Sequence, residues 1–221
     1  MRTLIMACRT VENELRLAMA QDGVNYPVIF QDAGLHLWPD RLRAAIQRDL
    51  DRIENVDVVL MGYGFCGKSL VGIKSDRFKI VVPRMHDCIS LLLGSALARE
   101  QCGNDVYFVT KGWLDHEVSI VHEYNRSVAR YGEQKATRLM KKMMSHHTRL
   151  TAIDTGAYNV EPVKLQVQTL VENMGWKFET VPGSLRIFHK LLKGPWDEEF
   201  VVLEPGQVIT LDDIVKQPPA Q

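Results

Sequence analysis

Apolar residues in this chain fall into two patterns. Short runs rich in Val, Ile, Leu and Met are bounded by Gly, Pro or polar clusters, and they predict strands at Thr3–Ala7, Pro27–Phe30, Val56–Met61, Phe78–Val82, Val106–Thr110, Thr151–Asp154, Trp176–Val181 and Phe200–Leu203. Between them, apolar residues recur every three or four positions. Glu12–Gln21 carries Leu15, Leu17, Ala18 and Met19, and Asp40–Ile53 carries Leu42, Ile46, Leu50 and Ile53. Further helices are predicted over Ile89–Gln101, with Asp87 as N-cap, and over Pro162–Met174 and Ser184–Leu192. Strands alternating with helices predict an α/β fold: a mostly parallel, Rossmann-like sheet with helices on both faces. The stretch 115–150 breaks the alternation. It is helical in pattern, rich in Met and Lys (RLMKKMMSHH) and shows no clear strand. It reads as a helical excursion that packs over the sheet edge or against a second subunit. The expected organisation is therefore an N-terminal α/β half (1–114), the excursion (115–150), a C-terminal α/β part of the same domain (151–215) and a disordered tail, KQPPAQ (216–221).

Composition narrows the function classes. With 221 residues the chain makes one large domain or two small ones. Its 27 basic and 27 acidic residues cancel, which argues against a nucleic-acid binder built on a basic field. No apolar run approaches the roughly 18 residues that span a bilayer, so no membrane partner is expected. The opening MRTLIMAC reads as a first strand rather than a signal peptide, which makes the cytoplasm the expected location. Four cysteines without a CxxC pair, in a reducing compartment, point to metal binding, catalysis or burial rather than disulfides.

Three of those cysteines follow predicted strands. Cys8 follows the first, Cys66 lies in the turn Gly62-Tyr63-Gly64-Phe65-Cys66-Gly67, and Cys88 lies in Pro83-Arg84-Met85-His86-Asp87-Cys88. Ligands of open α/β sheets sit at the carboxyl ends of strands, so Cys8, Cys66, His86 and Cys88 form a candidate metal site. Zinc takes thiolate and imidazole ligands tetrahedrally, and three cysteines also suit a [4Fe-4S] cluster with one iron open to substrate. Simple burial is the alternative for each cysteine. Cys102 follows a helix, at the opposite sheet end, and stands apart. Asp87 is placed to orient His86, in competition with its capping role. His36, after the second strand, is a candidate fourth ligand or catalytic contact.

Gly62–Ser69 also matches the phosphate-loop pattern G-x-x-x-x-G-K-[ST], with Gly62, Gly64 and Gly67 as candidate cofactor-binding positions. That motif requires a helix after the turn, and Gly72 with the nearby fourth strand leaves little room for one. The competing reading is that the glycines let the backbone turn tightly and present Cys66. Arg84 and Lys111 follow strands at the same edge and are candidates to receive an anionic substrate. Tyr63, Trp113 and Tyr158 are candidates to line its pocket.

The segments LIMAC, LHLWP, MGYGFCGKSLVGI, PRMHDCISLLLGS and FVTKGW, with the late PGSLRIFHKLLKGPWDEEFVVLEPGQ, resemble a prokaryotic family known as domain of unknown function 1638. The resemblance implies that Cys8, Cys66, His86 and Cys88 are shared across the family, and that its members occur in anaerobes near corrinoid-dependent methyltransferase systems. Lys68-Ser69 is not part of the family pattern. The H-x-C pair with a distant cysteine is also similar to the ligand set of zinc-dependent thiol methyltransferases. The resemblance therefore implies a methyltransferase-type enzyme of anaerobic one-carbon metabolism, with zinc holding a thiolate nucleophile at neutral pH. No D-x-H-x-x-G corrinoid motif is present, so a corrinoid would come on a partner protein. An iron–sulfur lyase or dehydratase acting on a small molecule, and a non-enzymatic metal or corrinoid chaperone or accessory subunit, are the alternatives. For the accessory role the Met-rich excursion is the expected partner surface.

Overall fold

The computed structural model of the protein describes residues 1–215, so the expected disordered tail lies outside the described residues. The strands are β1 (Thr3–Cys8), β2 (Val28–Gln31), β3 (Val58–Gly62), β4 (Lys79–Pro83), β5 (Val106–Val109), β6 (Arg149–Asp154), β7 (Lys177–Pro182) and β8 (Phe200–Leu203). The main helices are α1 (Glu12–Asp22), α2 (Pro39–Leu50), α3 (Cys88–Leu93), α4 (Ala96–Gln101), α5 (Lys111–Leu114), α6 (Ile120–Tyr131), α7 (Glu133–Met143), α8 (Val160–Met174), α9 (Arg186–Lys193) and α10 (Leu211–Val215). The chain is thus α/β, with mostly parallel strands.

The strands divide between two sheets, where the sequence suggests one. The first has the order β2-β1-β3-β4-β8, parallel except for β8, which runs antiparallel to β4. The second, β5-β6-β7, is parallel throughout. Alternation along β1 and β3 explains how the first sheet is covered. Ile5, Ala7, Val58 and Leu60 face α1 and α9 through Leu15, Ala18, Ile187 and Phe188. Met6, Cys8, Val59 and Met61 face α2 through Leu42, Ile46 and Leu50. Successive side chains of a strand point to opposite faces, so a strand buried on both reads as one continuous apolar run. One face of the second sheet, with Leu150 and Ala152, packs on α6, α7 and α8. From its other face Phe108 and Ile153 enter the same core as Ile5 and Val58, which joins the two sheets.

Three elements differ from the sequence expectation. The single helix over Ile89–Gln101 is two helices, because Gly94 takes a left-handed φ of 83° and caps α3 while Ser95 accepts the Ala98 amide and starts α4. The turn Lys111-Gly112-Trp113 is the short helix α5, capped by the Thr110 hydroxyl. The stretch 115–150 is an antiparallel pair, α6 and α7, broken at Gly132, and β6 already begins at Arg149. No helix among the described residues is long and apolar enough to cross a membrane.

Candidate functional site: three thiols beside an aromatic cavity

Strand order decides the site. β1, β3 and β4 are parallel neighbours, so their carboxyl ends share one edge of the sheet. β1 lies between β2 and β3, so the chain runs outward in opposite directions on either side of it. Such a switch point opens a crevice beyond the strand ends. Cys8 closes β1, Cys66 stands four residues past β3, and Cys88 stands five past β4.

The two later cysteines are brought together by their turns. The Phe65 amide donates to the Met85 carbonyl at 2.7 Å and the Cys66 amide to the His86 carbonyl at 2.9 Å. This approach needs Gly64: a Cβ there would stand 2.3 Å from the Asp87 carbonyl carbon. Cys66 itself has φ of 42°, a left-handed conformation that costs a non-glycine residue energy and is concentrated at functional sites. The outcome is a Cys66–Cys88 sulfur separation of 3.9 Å. Cys8 is buried behind them, and its Sγ donates to the Thr10 hydroxyl at 3.3 Å. The Cys8 thiol is pushed well above the usual range, first by its hydrogen bond with Cys88 and then by burial. Cys88 is pushed up first by Cys66, with burial adding to it.

Tyr63 packs on the Cys8 face of the sheet, fully buried, and its hydroxyl has no hydrogen-bond partner among the described residues. Burial, followed by the charge of Cys8, Cys88 and Cys66, pushes its ionisation well up. It therefore keeps its proton and is a buried, unpartnered donor on the thiol side of the sheet.

The thiols open on a cavity of about 480 Å³. Cys66, Gly67, Asp87 and Cys88 form its sheet side, and His36 enters from the turn after β2. Tyr107, Phe108, Thr110 and Trp113 come across from β5 and α5, in the second sheet. His36 and Trp113 rings lie 4.6 Å apart, and the Trp113 Nε1–H donates to the Tyr107 hydroxyl at 3.3 Å. Burial lowers the His36 pKa, which keeps the ring neutral at pH 7.

Other expected site residues lie elsewhere or do other work. His86 is exposed and does not line the cavity; its carbonyl serves the turn interlock. Asp87 lines the cavity and caps α3, its Oδ1 accepting from the Ser90 amide at 2.7 Å and the Ser90 hydroxyl at 2.8 Å. Arg84 is tied to the C-terminal segment through the carbonyls of Phe200 and Asp213, and Lys111 pairs with Asp115. Neither lines the cavity. The Tyr158 hydroxyl donates to the Ile153 carbonyl. Gly62 packs on Ala7, where a Cβ would meet the Ala7 Cβ at 2.8 Å. Turns rather than a helix follow Gly62–Ser69, so the backbone donors of a phosphate loop are not formed there.

Sequence reasoning missed Tyr107, Phe108, Ile89, Thr10 and Thr110 as cavity residues. Thr110 carried the available signal, a polar residue at a strand end two positions before a glycine. Tyr107 and Phe108 lie inside a strand, where nothing in the local pattern separates lining from core. Among the described residues, no group of three or more His, Cys, Asp or Glu side chains is placed to hold a metal ion. What is assembled is a chain of thiols, Cys8 to Cys88 to Cys66, with a tyrosine donor behind it and a cavity before it.

Comparison with known proteins gives one match. The family model described as "Protein of unknown function (DUF1638)" matches residues 30–192, which include Cys66, Cys88 and Trp113 and leave out Cys8 and the segment from Lys193 onward. No curated protein and no solved structure matches the chain.

Proposed function

The chain belongs to the family DUF1638, and from that premise we propose that it is a thiolate metal protein of the cytoplasm that transfers a methyl group at sulfur. The observation that carries the reading is the convergence of Cys8, Cys66 and Cys88, from three neighbouring parallel strands, beside a cavity. The thiol spacing suits zinc: two thiolates on a tetrahedral ion, each about 2.3 Å from it, stand about 3.8 Å apart, close to the separation of Cys66 and Cys88. A [4Fe-4S] cluster interposes an iron–sulfide core between its cysteines and holds them much farther apart. With His86 outside the cavity, Cys8, Cys66 and Cys88 are the residues that would hold the ion.

When bound, zinc would hold sulfur in its thiolate form at neutral pH. Tyr63, whose buried hydroxyl has no partner among the described residues, would be the donor available to a thiolate sulfur. Thr10 orients Cys8. The cavity would seat the small molecule that carries or receives the methyl group. In the transfer, a thiolate sulfur forms the S–C bond as the methyl carbon's bond to its donor breaks, and the electron pair leaves with the donor. A corrinoid, carried by a separate protein, is the proposed methyl counterpart; the cavity itself is of small-molecule size.

The test is metal content of protein purified without oxygen, for the wild type and for Cys66→Ser and Cys88→Ser. About one zinc per chain, lost in both variants while their circular dichroism is kept, is expected. Full zinc in both variants would sink the site. Iron with sulfide and a brown colour would replace zinc by the cluster reading. The activity check is methyl transfer from methylcobalamin to a small thiol, with and without the corrinoid protein.

A further inference from the structure

The cavity beside the thiols selects its ligand by charge. One wall is aromatic: Tyr107, Phe108 and Trp113. The hydrogen bond between Trp113 and Tyr107 holds those two rings in fixed relation. The Arg99 guanidinium stands 4.7 Å from the Phe108 centroid but does not line the cavity, so Tyr107 and Trp113 are the rings left to a ligand. On the thiol side the cavity has one carboxylate, Asp87. Both of its capping bonds are accepted by Oδ1, which leaves Oδ2 for a ligand.

Among the described residues, no lysine or arginine lines the cavity. Arg84 and Lys111, the basic residues expected to receive an anion, are held by oxygens elsewhere. His36 is kept neutral by burial. A carboxylate or phosphate would enter facing Asp87, and among the described residues no cationic side chain lines the cavity to offset the repulsion. A hydrated primary ammonium would surrender its water to rings that accept hydrogen bonds weakly. A cation with an apolar skin meets both walls well, since aromatic rings attract it through their quadrupole and Asp87 through its charge.

We propose that the cavity binds a small methylated onium cation, a quaternary ammonium or tertiary sulfonium. Its charge lies against the aromatic wall and Asp87, and its methyl groups face Cys66 and Cys88. The chemical use of that orientation rests on the thiolate reading above; the binding itself does not.

Calorimetric titration with choline and with its neutral carbon isostere, 3,3-dimethylbutan-1-ol, isolates the charge. Choline binds about tenfold or more tighter than the isostere in the wild type. Asp87→Asn removes most of that preference while leaving the isostere's affinity unchanged; asparagine caps a helix as well as aspartate does, so α3 is retained. Equal affinities for the two probes, or isostere binding without choline binding, would overturn the proposal, as would no detectable choline binding at tens of millimolar. Zinc content measured on the same samples separates the two readings. Zinc present without a choline preference removes the onium site alone. A choline preference in protein that never holds metal, including the Cys66→Ser/Cys88→Ser double variant, upholds the onium site and removes the thiolate centre.

Discussion

Glu14 is fully buried on α1. Its Oε1 accepts the Thr155 hydroxyl at 3.0 Å, while Oε2 has no hydrogen-bond partner among the described residues. Burial raises its pKa, and the Thr155 bond opposes part of that rise. The folded protein therefore holds this proton more tightly than the unfolded chain. The stability so gained is complete below the ordinary glutamate value, about 4.3, and is lost as pH rises through the raised value. Glu14→Gln keeps the shape and removes the titration. Urea midpoints taken from about pH 4 to about pH 8 will fall more steeply in the wild type than in the variant, and the variant will be the more stable at neutral pH. Parallel profiles would mean that Glu14 ionises in the fold without cost. The same scale shows where single residues were legible. Cys8, Cys66 and Cys88 could be picked out because each follows an apolar run. His86 carried the same signal, yet its side chain is exposed: the residues in a turn share a neighbourhood in sequence but not a direction in space.

At the scale of elements, the site depends on two turns locked face to face. Gly64 and Gly67 are both glycines of the first turn, but they are needed for different reasons. A Cβ at Gly64 would press on the backbone of Asp87, at 2.3 Å from its carbonyl carbon, and backbone there cannot give way without opening the interlock. At Gly67 a Cβ meets nothing within 4 Å, and only the left-handed φ of 73° resists it. Gly64→Ala is expected to cost about 3 kcal/mol, as overpacking against rigid structure does, and Gly67→Ala about 1 kcal/mol. Chemical denaturation measures both, and Gly64→Ala will also lower zinc retention because it spreads Cys66 from Cys88. Equal, small costs for the two variants would contradict the interlock. The sequence pattern placed these glycines in a turn. It matched a phosphate loop equally well, because the motif's letters are satisfied whether or not a helix follows.

For the whole molecule, the shared core matters most. Ile5 and Val58 of the first sheet and Phe108 and Ile153 of the second are buried in one cluster with Phe188 of α9. Neither sheet closes its core without the other, so the described residues should unfold together. The cavity lies across that junction, with Trp113 and Tyr107 on one side and the thiols on the other. Urea unfolding followed by the fluorescence of Trp176, which lies in the second sheet's own core, with Trp38, Trp113 and Trp196 replaced by Phe, will coincide with unfolding followed by far-ultraviolet circular dichroism. Two separated transitions would show the sheets to be independent units.

The sequence by itself determined the α/β class, the strands and most of the helices, and the placing of three cysteines just beyond strand ends. These features are carried by residues near one another in the chain: the period of apolar positions, and the Gly, Pro and Asp residues that end each run. Tertiary structure alone decided that the strands form two sheets, that β1 lies between β2 and β3, and that Cys8 meets Cys88. It also brought Tyr107 and Trp113 across to complete the cavity and left Arg84, Lys111 and His86 outside it. Strand order and side-chain direction follow from packing between residues far apart in sequence. A strand buried on both faces shows the same apolar run whichever neighbour it pairs with.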